Sequence, residues 1–224
     1  MRKKLFGLGL AATMMVGLLG IAGPANAAGT AKVNVVHGIP GVTVDVCVDG
    51  SKAIPDFHPG DVVKGVALPA ASHTFKIVAQ GDPCSSTAIL AVTTPLEAGK
   101  NYTAIAALNA KGTPKLLLFS NNVNPTKPGN ARLTVRHTAD APAVNVWANG
   151  AKLVGGNDFT FGDSATLQTP KGIYAAWVSL PGALAPVIGP AVLQLKAGVA
   201  YQVYAWGNGS GYNLAVLSLK VGTN

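Results

Sequence analysis

From Val42 to Val48 the chain alternates strictly, Val-Thr-Val-Asp-Val-Cys-Val, which sets four valines on one side of an extended segment. Period-two alternation marks a half-buried strand, and Asp49-Gly50 closes it with a strong turn signal. Further short apolar segments predict strands at 32–36, 62–68, 73–79, 87–93, 102–109 and 115–120. Gly, Pro, Asn and Asp punctuate them, as in Ile39-Pro40-Gly41, His58-Pro59-Gly60 and Gly81-Asp82-Pro83. Seven short strands with such turns predict a β-sandwich. No ten-residue stretch carries a convincing amphipathic helical period.

The pattern then repeats. Val33-Asn34-Val35-Val36-His37 is echoed by Leu133-Thr134-Val135-Arg136-His137, and Val44-Asp45-Val46-Cys47-Val48-Asp49-Gly50 by Val144-Asn145-Val146-Trp147-Ala148-Asn149-Gly150. Phe57 to Asp61 returns as Phe159 to Asp163, and Leu96 to Tyr102 as Leu195 to Tyr201. Four matched blocks in one order mean two copies of one domain. The predicted fold class is therefore all-β: two tandem Ig-like antiparallel β-sandwich domains, at 31–120 and 131–224, after a signal peptide. Residues 121–130, rich in Asn and Pro, read as a semi-rigid linker. Residues 1–27 read as the signal peptide: Arg2, Lys3 and Lys4, then an apolar stretch, then Ala25-Asn26-Ala27 as the cleavage site.

The most specific part of the repeat is an apolar strand ending in His, a Pro-containing turn, then Val-Asp-Val-x-Val-Asp-Gly. In this, His37 to Gly50 resembles the bacterial family known as domain of unknown function 4397. His137 to Gly150 resembles it again, with Asn145 and Asn149 where the family pattern has Asp. The resemblance implies exported Ig-like β domains, often in tandem, with no established activity and no catalytic residues to carry over.

Charge adds little at this level. Seventeen Lys and Arg stand against nine Asp and Glu, and removing residues 1–27 leaves 14 bases and a net charge of +5. The bases are scattered singly from Lys32 to Lys220, so no run resembles a nucleic-acid footprint. Nucleic acid is not an expected partner, and no membrane span is expected once the signal is cleaved. A cell-wall glycan or another exported protein is the expected kind of partner. The expected location is extracellular or cell-envelope associated.

Cys47 and Cys84 are the only cysteines, and export favours a disulfide over free thiols or a two-ligand metal site. Such a bridge closes a loop worth about 4 kcal/mol in the chain-entropy account. Cys47 aligns with Trp147 and Cys84 with the Leu184 region, so an apolar contact is expected where copy one has its bridge. His37 and His137 recur at a strand end beside a loop, either as a polar loop site or as imidazoles that hydrogen-bond the following Pro-containing turn. Asp56, His58 and Asp61 form an acid–His–acid cluster, but copy two has Thr160 in place of His58, so the shared part reads as an Asp turn. All three tryptophans lie in copy two, where Tyr204 and Trp206 share one side of a predicted strand. Trp147, Tyr204 and Trp206 are the candidate binding surface.

Enzyme signatures are absent: no Gly-x-Ser-x-Gly, His-Glu-x-x-His, Gly-Lys-Ser/Thr or Ser-x-x-Lys occurs, and Glu97 is the sole glutamate. No cofactor, metal or catalytic residue is expected. The reading is a non-catalytic binding, adhesion or structural module. The alternative is a hydrolase or metal-dependent enzyme with a site formed between the two domains.

Overall fold

The computed structural model describes residues 29–155 and 159–224; the expected signal peptide lies outside them. The described residues form sixteen strands in four four-stranded sheets, with no helix. In the first half these are β1 (Thr30–Gly38), β2 (Val44–Val48), β3 (Ser51–Phe57), β4 (Val62–Pro69), β5 (Ser72–Ala79), β6 (Leu90–Pro95), β7 (Asn101–Leu108) and β8 (Pro114–Ser120). The second half repeats them as β9 (Asn130–His137), β10 (Asn145–Ala148), β11 (Ala151–Gly155), β12 (Ser164–Pro170), β13 (Gly172–Ser179), β14 (Pro186–Leu195), β15 (Val199–Asn208) and β16 (Gly211–Lys220).

Sheet β4-β1-β7-β8 faces sheet β3-β2-β5-β6 across one apolar core that includes Val33, Val35, Val46, Phe57, Phe75 and Ile77. Sheet β12-β9-β15-β16 faces β11-β10-β13-β14 in the same way across Leu133, Val135, Val146, Phe159, Val178 and Val203. All pairings are antiparallel except β1 with β7 and β9 with β15. Each unit is thus a sandwich of four strands on four.

That is one strand more than the seven expected in copy one. The unpredicted strand is β3, Ser-Lys-Ala-Ile-Pro-Asp-Phe, whose inward residues Ile54 and Phe57 are not two apart. The register shifts opposite β2, and Asp56 has a φ of +53°. Pro55 cannot donate to a ladder and is tolerated because β3 is an edge strand. The alternation of β2 is also only half the story. Its valines face the core, yet Asp45 and Cys47 are buried too, because residues 80–89 roof the outer side of the sheet.

The two sandwiches meet through equivalent faces. The outer side of β4-β1-β7-β8 packs on the outer side of β12-β9-β15-β16, burying Val36, Ile105 and Ala107 against Tyr204, Trp206 and Leu217. Knobs face holes here: Tyr204 and Trp206 on β15 stand where β7 has Ile105 and Ala107. A Cβ added at Gly60 would lie 3.0 Å from the Trp206 ring, and one at Gly38 would lie 3.2 Å from Trp206 Cβ. Two glycines of copy one therefore make room for one indole.

The linker is pinned rather than free. Arg132 on β9 is buried and donates to the carbonyls of Asn122, Asn124 and Pro125 at 3.1, 2.7 and 3.3 Å. Arg136, four residues further along the same face of β9, donates to Asn121 Oδ1 at 3.0 Å and to the Tyr204 hydroxyl. Its guanidinium lies over the Phe119 ring, 4.4 Å from the centroid. Burial pulls the Arg136 pKa below its usual range, and Tyr204 beside it offsets part of that pull.

Candidate functional site

The cysteines do bridge: Cys47 on β2 is joined to Cys84 in the roofing loop, with the Cα atoms 5.9 Å apart. Lys76, opposite Cys47 on β5, donates to the Cys84 carbonyl at 2.7 Å. Asp45 takes the Gly81 N–H at 3.0 Å, the Asp56 N–H at 2.8 Å and the Lys52 ammonium. Lys52 and these N–H groups hold its pKa below the usual carboxylate range. The disulfide is thus one of several ties that fasten the loop over the sheet.

Copy two keeps the sheet and loses the roof. Its connection from β13 to β14 spans 180–185, against 80–89 in copy one. The expected contact of Trp147 with Leu184 does not form, since Leu184 is 73% exposed. Trp147 stacks instead on Trp177, its partner across β10 and β13, with centroids 5.9 Å apart and planes 6° from parallel. Trp147 Nε1 donates to Ser179 Oγ at 2.9 Å, which fixes the ring orientation. Both indoles are partly exposed. The same face continues through Ala175 and Val192 to Ile173 and Gln194, with Val192 75% and Ile173 68% exposed. Lys152 adjoins Trp147 on β11, and a groove of about 510 Å³ at the far end runs between Lys171 and Lys196.

Tyr204 and Trp206 are the correction. The candidate surface required their rings in solvent, and both are buried, at 0% and 8% exposure, in the contact between the sandwiches. Tyr204 and Trp206 do share one side of β15, but that side faces copy one rather than water. Of the candidate surface only Trp147 remains. Trp177 joins it, and its signal lay in the register that sets β13 against β10.

The two histidines close the loops that follow their strands. His37 Nε2 meets the Val42 carbonyl at 2.9 Å, and its Nδ1 accepts the Ile39 N–H at 3.3 Å. His137 Nε2 meets the Pro142 carbonyl at 2.8 Å, while its Nδ1 has no partner. Both are fully buried, and burial lowers both pKa values, so the rings are neutral at physiological pH. Each backbone N–H also bonds the Asp61 or Asp163 carbonyl. His58 lies outside this arrangement, exposed, 3.6 Å from Asp61 and 4.0 Å from Asp56. The shared turn is Asp61 accepting from His58 N and Asp163 from Thr160 N, at 2.9 and 2.6 Å. Among the described residues no three His, Cys, Asp or Glu side chains converge at metal-binding range.

The family model of a domain of unknown function, DUF4397, matches residues 31–147. The match takes in the first sandwich and enters the second as far as β10. No curated protein matches the chain in sequence. Among solved structures, the Bacillus anthracis TIE protein aligns with 80% of this chain and 33% of its own, at 13% identity and a TM-score of 0.25. The chain spans a third of that protein's length, and so slight a likeness bears on nothing further.

Proposed function

The chain belongs to the DUF4397 family, and from that premise we propose that it is an exported, non-catalytic module that binds an envelope glycan through the outer face of its β11-β10-β13-β14 sheet. One observation carries this reading. The same sheet face is roofed by a disulfide-fastened loop in copy one and left as the open Trp147–Trp177 stack in copy two. Large apolar side chains in water are costly, and a contiguous exposed set marks a contact surface.

A glycan fits the chemistry of this face. Sugar rings offer C–H faces to aromatic and aliphatic side chains, here Trp147, Trp177 and Val192. Their hydroxyl and acidic groups suit an amide and ammonium groups, here Gln194, Lys152, Lys171 and Lys196. The disulfide supports an oxidising, extracytoplasmic setting. The interior of the domain junction, where an enzyme site was the alternative, is filled by Trp206 and the Arg136–Tyr204 pair.

The test is co-sedimentation of the purified chain with protein-stripped cell-wall polysaccharide. The double change Trp147→Ala with Trp177→Ala should weaken retention at least tenfold, since each stacked ring is worth about 1 kcal/mol. The change Ile89→Ala, at an exposed apolar position of copy one, should leave it intact. Retention unaffected by loss of both indoles would remove this face from consideration.

A further inference from the structure

From Lys32 onward the lysines stand singly along the sequence; in the fold four of them border one cleft. A cleft of about 520 Å³ opens at one end of the contact between the sandwiches, and its walls carry Lys32 of β1, Lys64 of β4, the Lys100 that precedes β7, and Lys220 of β16. Asn34 and Asn101 lie beneath them. Lys32, Lys64 and Lys100 belong to the first sandwich, and Lys220 borders the cleft from the end of β16 in the second.

Among the described residues no carboxylate pairs with these lysines. The ion pairs of the described residues use Asp45, Asp49, Asp56 and Asp61, and none involves a lysine of the cleft. No carboxylate lines the walls. At physiological ionic strength charges interact over about 8 Å, so like charges crowded round one concavity repel and raise its potential. Low-dielectric walls focus that potential into the cleft.

The floor is rigid and already satisfied. Asn34 Nδ2 donates to Asn101 Oδ1 at 2.9 Å and to the Tyr102 carbonyl at 2.7 Å. Asn34 Oδ1 accepts the Gly65 N–H at 3.1 Å, and Asn121 Nδ2 donates to Asn101 Oδ1 at 2.8 Å. These amides therefore hold β1, β4 and β7 in place and leave recognition to the ammonium groups above them. The cleft has no aromatic side chain to stack a base and no arginine fork for planar, two-pronged recognition. Flexible point charges on a fixed floor select a ligand by charge density along a pliant chain, not by the shape of its units.

We propose that this cleft binds a flexible phosphodiester polymer, laid between the two sandwiches with its phosphates against Lys32, Lys64, Lys100 and Lys220. The site lies on the opposite sheet of copy two from Trp147 and Trp177, and it does not depend on them.

The experiment is titration of the purified chain with synthetic poly(glycerol phosphate) of defined length at several salt concentrations. Four ammonium groups engaging a flexible polyanion give a slope of log K against log salt of about −3. The change Lys64→Ala with Lys220→Ala should weaken binding at least tenfold and halve the slope. Lys111→Ala with Lys115→Ala removes the same charge from the opposite end of the β7–β8 hairpin and should change affinity less than twofold. All four residues are exposed, and matching unfolding midpoints confirm that the variants remain folded. The proposal is overturned by equal losses in the two pairs or by no binding at low salt. Equal affinity for duplex DNA, or preference for anionic phospholipid vesicles over the soluble polymer, overturns it as well. Because the Trp147/Trp177 variant keeps the cleft, its retention of polymer binding separates this site from the glycan face.

Discussion

Cys47 and Trp147 occupy the same place on equivalent strands, and each faces away from the core of its sandwich. Across the sheet Cys47 meets Lys76, and Trp147 meets Trp177. In copy one this face is closed: the cysteine and the lysine both hold the 80–89 loop down. In copy two it is open, and two indoles cover each other instead. One copy uses the face for its own stability; the other leaves it to a partner. The neighbouring turn diverges in the same sense. His73 of copy one bonds the Pro69 carbonyl at 2.9 Å and pairs with Asp49, whereas Tyr174 of copy two bonds the Pro170 carbonyl at 2.9 Å beside Asn149. The backbone job is kept while the titrating pair is replaced by a neutral one.

The largest way to break the comparison is to open the closed face. Cys47→Ser with Cys84→Ser should destabilise the first sandwich by about 4 kcal/mol, the chain-entropy value for cross-linking positions 37 apart. Hydrogen exchange should then show β2 and β5 losing protection while β10 and β13 keep theirs. A loss below about 1 kcal/mol would mean that Lys76 and Asp45 hold the roof without the bond.

Next in size is Arg136→Ala, which severs the two copies where they touch. It removes the guanidinium that donates to the Tyr204 hydroxyl and to Asn121 Oδ1 inside the contact and should cost about 3 kcal/mol, in the range for breaking a buried charge-assisted pair. Two resolved calorimetric transitions in place of one would mark the uncoupling.

A smaller effect is expected at the open face. Trp177→Ala removes a half-exposed ring and should cost about 1–2 kcal/mol in denaturant unfolding, well under the usual figure for a core tryptophan. A loss of 3 kcal/mol or more would show that the stack serves the fold as the disulfide does.

The smallest effect is a pH response confined to copy one. The Pro69 carbonyl and then Asp49 raise the His73 pKa. The folded state therefore favours the charged ring, and its stabilisation is complete below the ordinary imidazole range and lost as pH rises through the raised value. His37 and His137 have the opposite sign, since burial lowers their pKa, and both copies weaken as pH falls below about 6.5. His73→Tyr, which installs the copy-two residue, should abolish the loss on the alkaline side and leave the acid side unchanged in a pH series of melting temperatures.

Much of the fold was legible because its signals are local. The valines of β2, the Asp-Gly turns and the repeat at a spacing of 100 residues follow from period and punctuation alone. The edge strand β3 was not, because a proline and a register shift erase alternation where only one neighbour must be paired. The site was less legible, for a geometric reason. Alternation tells which side chains share a face of β15, but not whether that face meets water or the other sandwich, and only the packing of the two sandwiches turns Tyr204 and Trp206 away from solvent. Likewise Lys32, Lys64, Lys100 and Lys220 are far apart in the chain, and only the meeting of two sheets makes them neighbours.

That meeting has one more consequence. The sandwiches join by the same face on each, β7 toward β15, so the contact is like that of a two-fold dimer folded into a single chain. A head-to-tail contact would leave a donor face on one copy and an acceptor face on the other, inviting a third copy and then a filament. Here each face consumes its counterpart. The large rings of β15 against the small residues of β7 also make the pair unequal, since two β15 faces would clash and two β7 faces would leave a gap. The joint is self-terminating: it makes a pair, and any larger array of such domains must be built through some other surface.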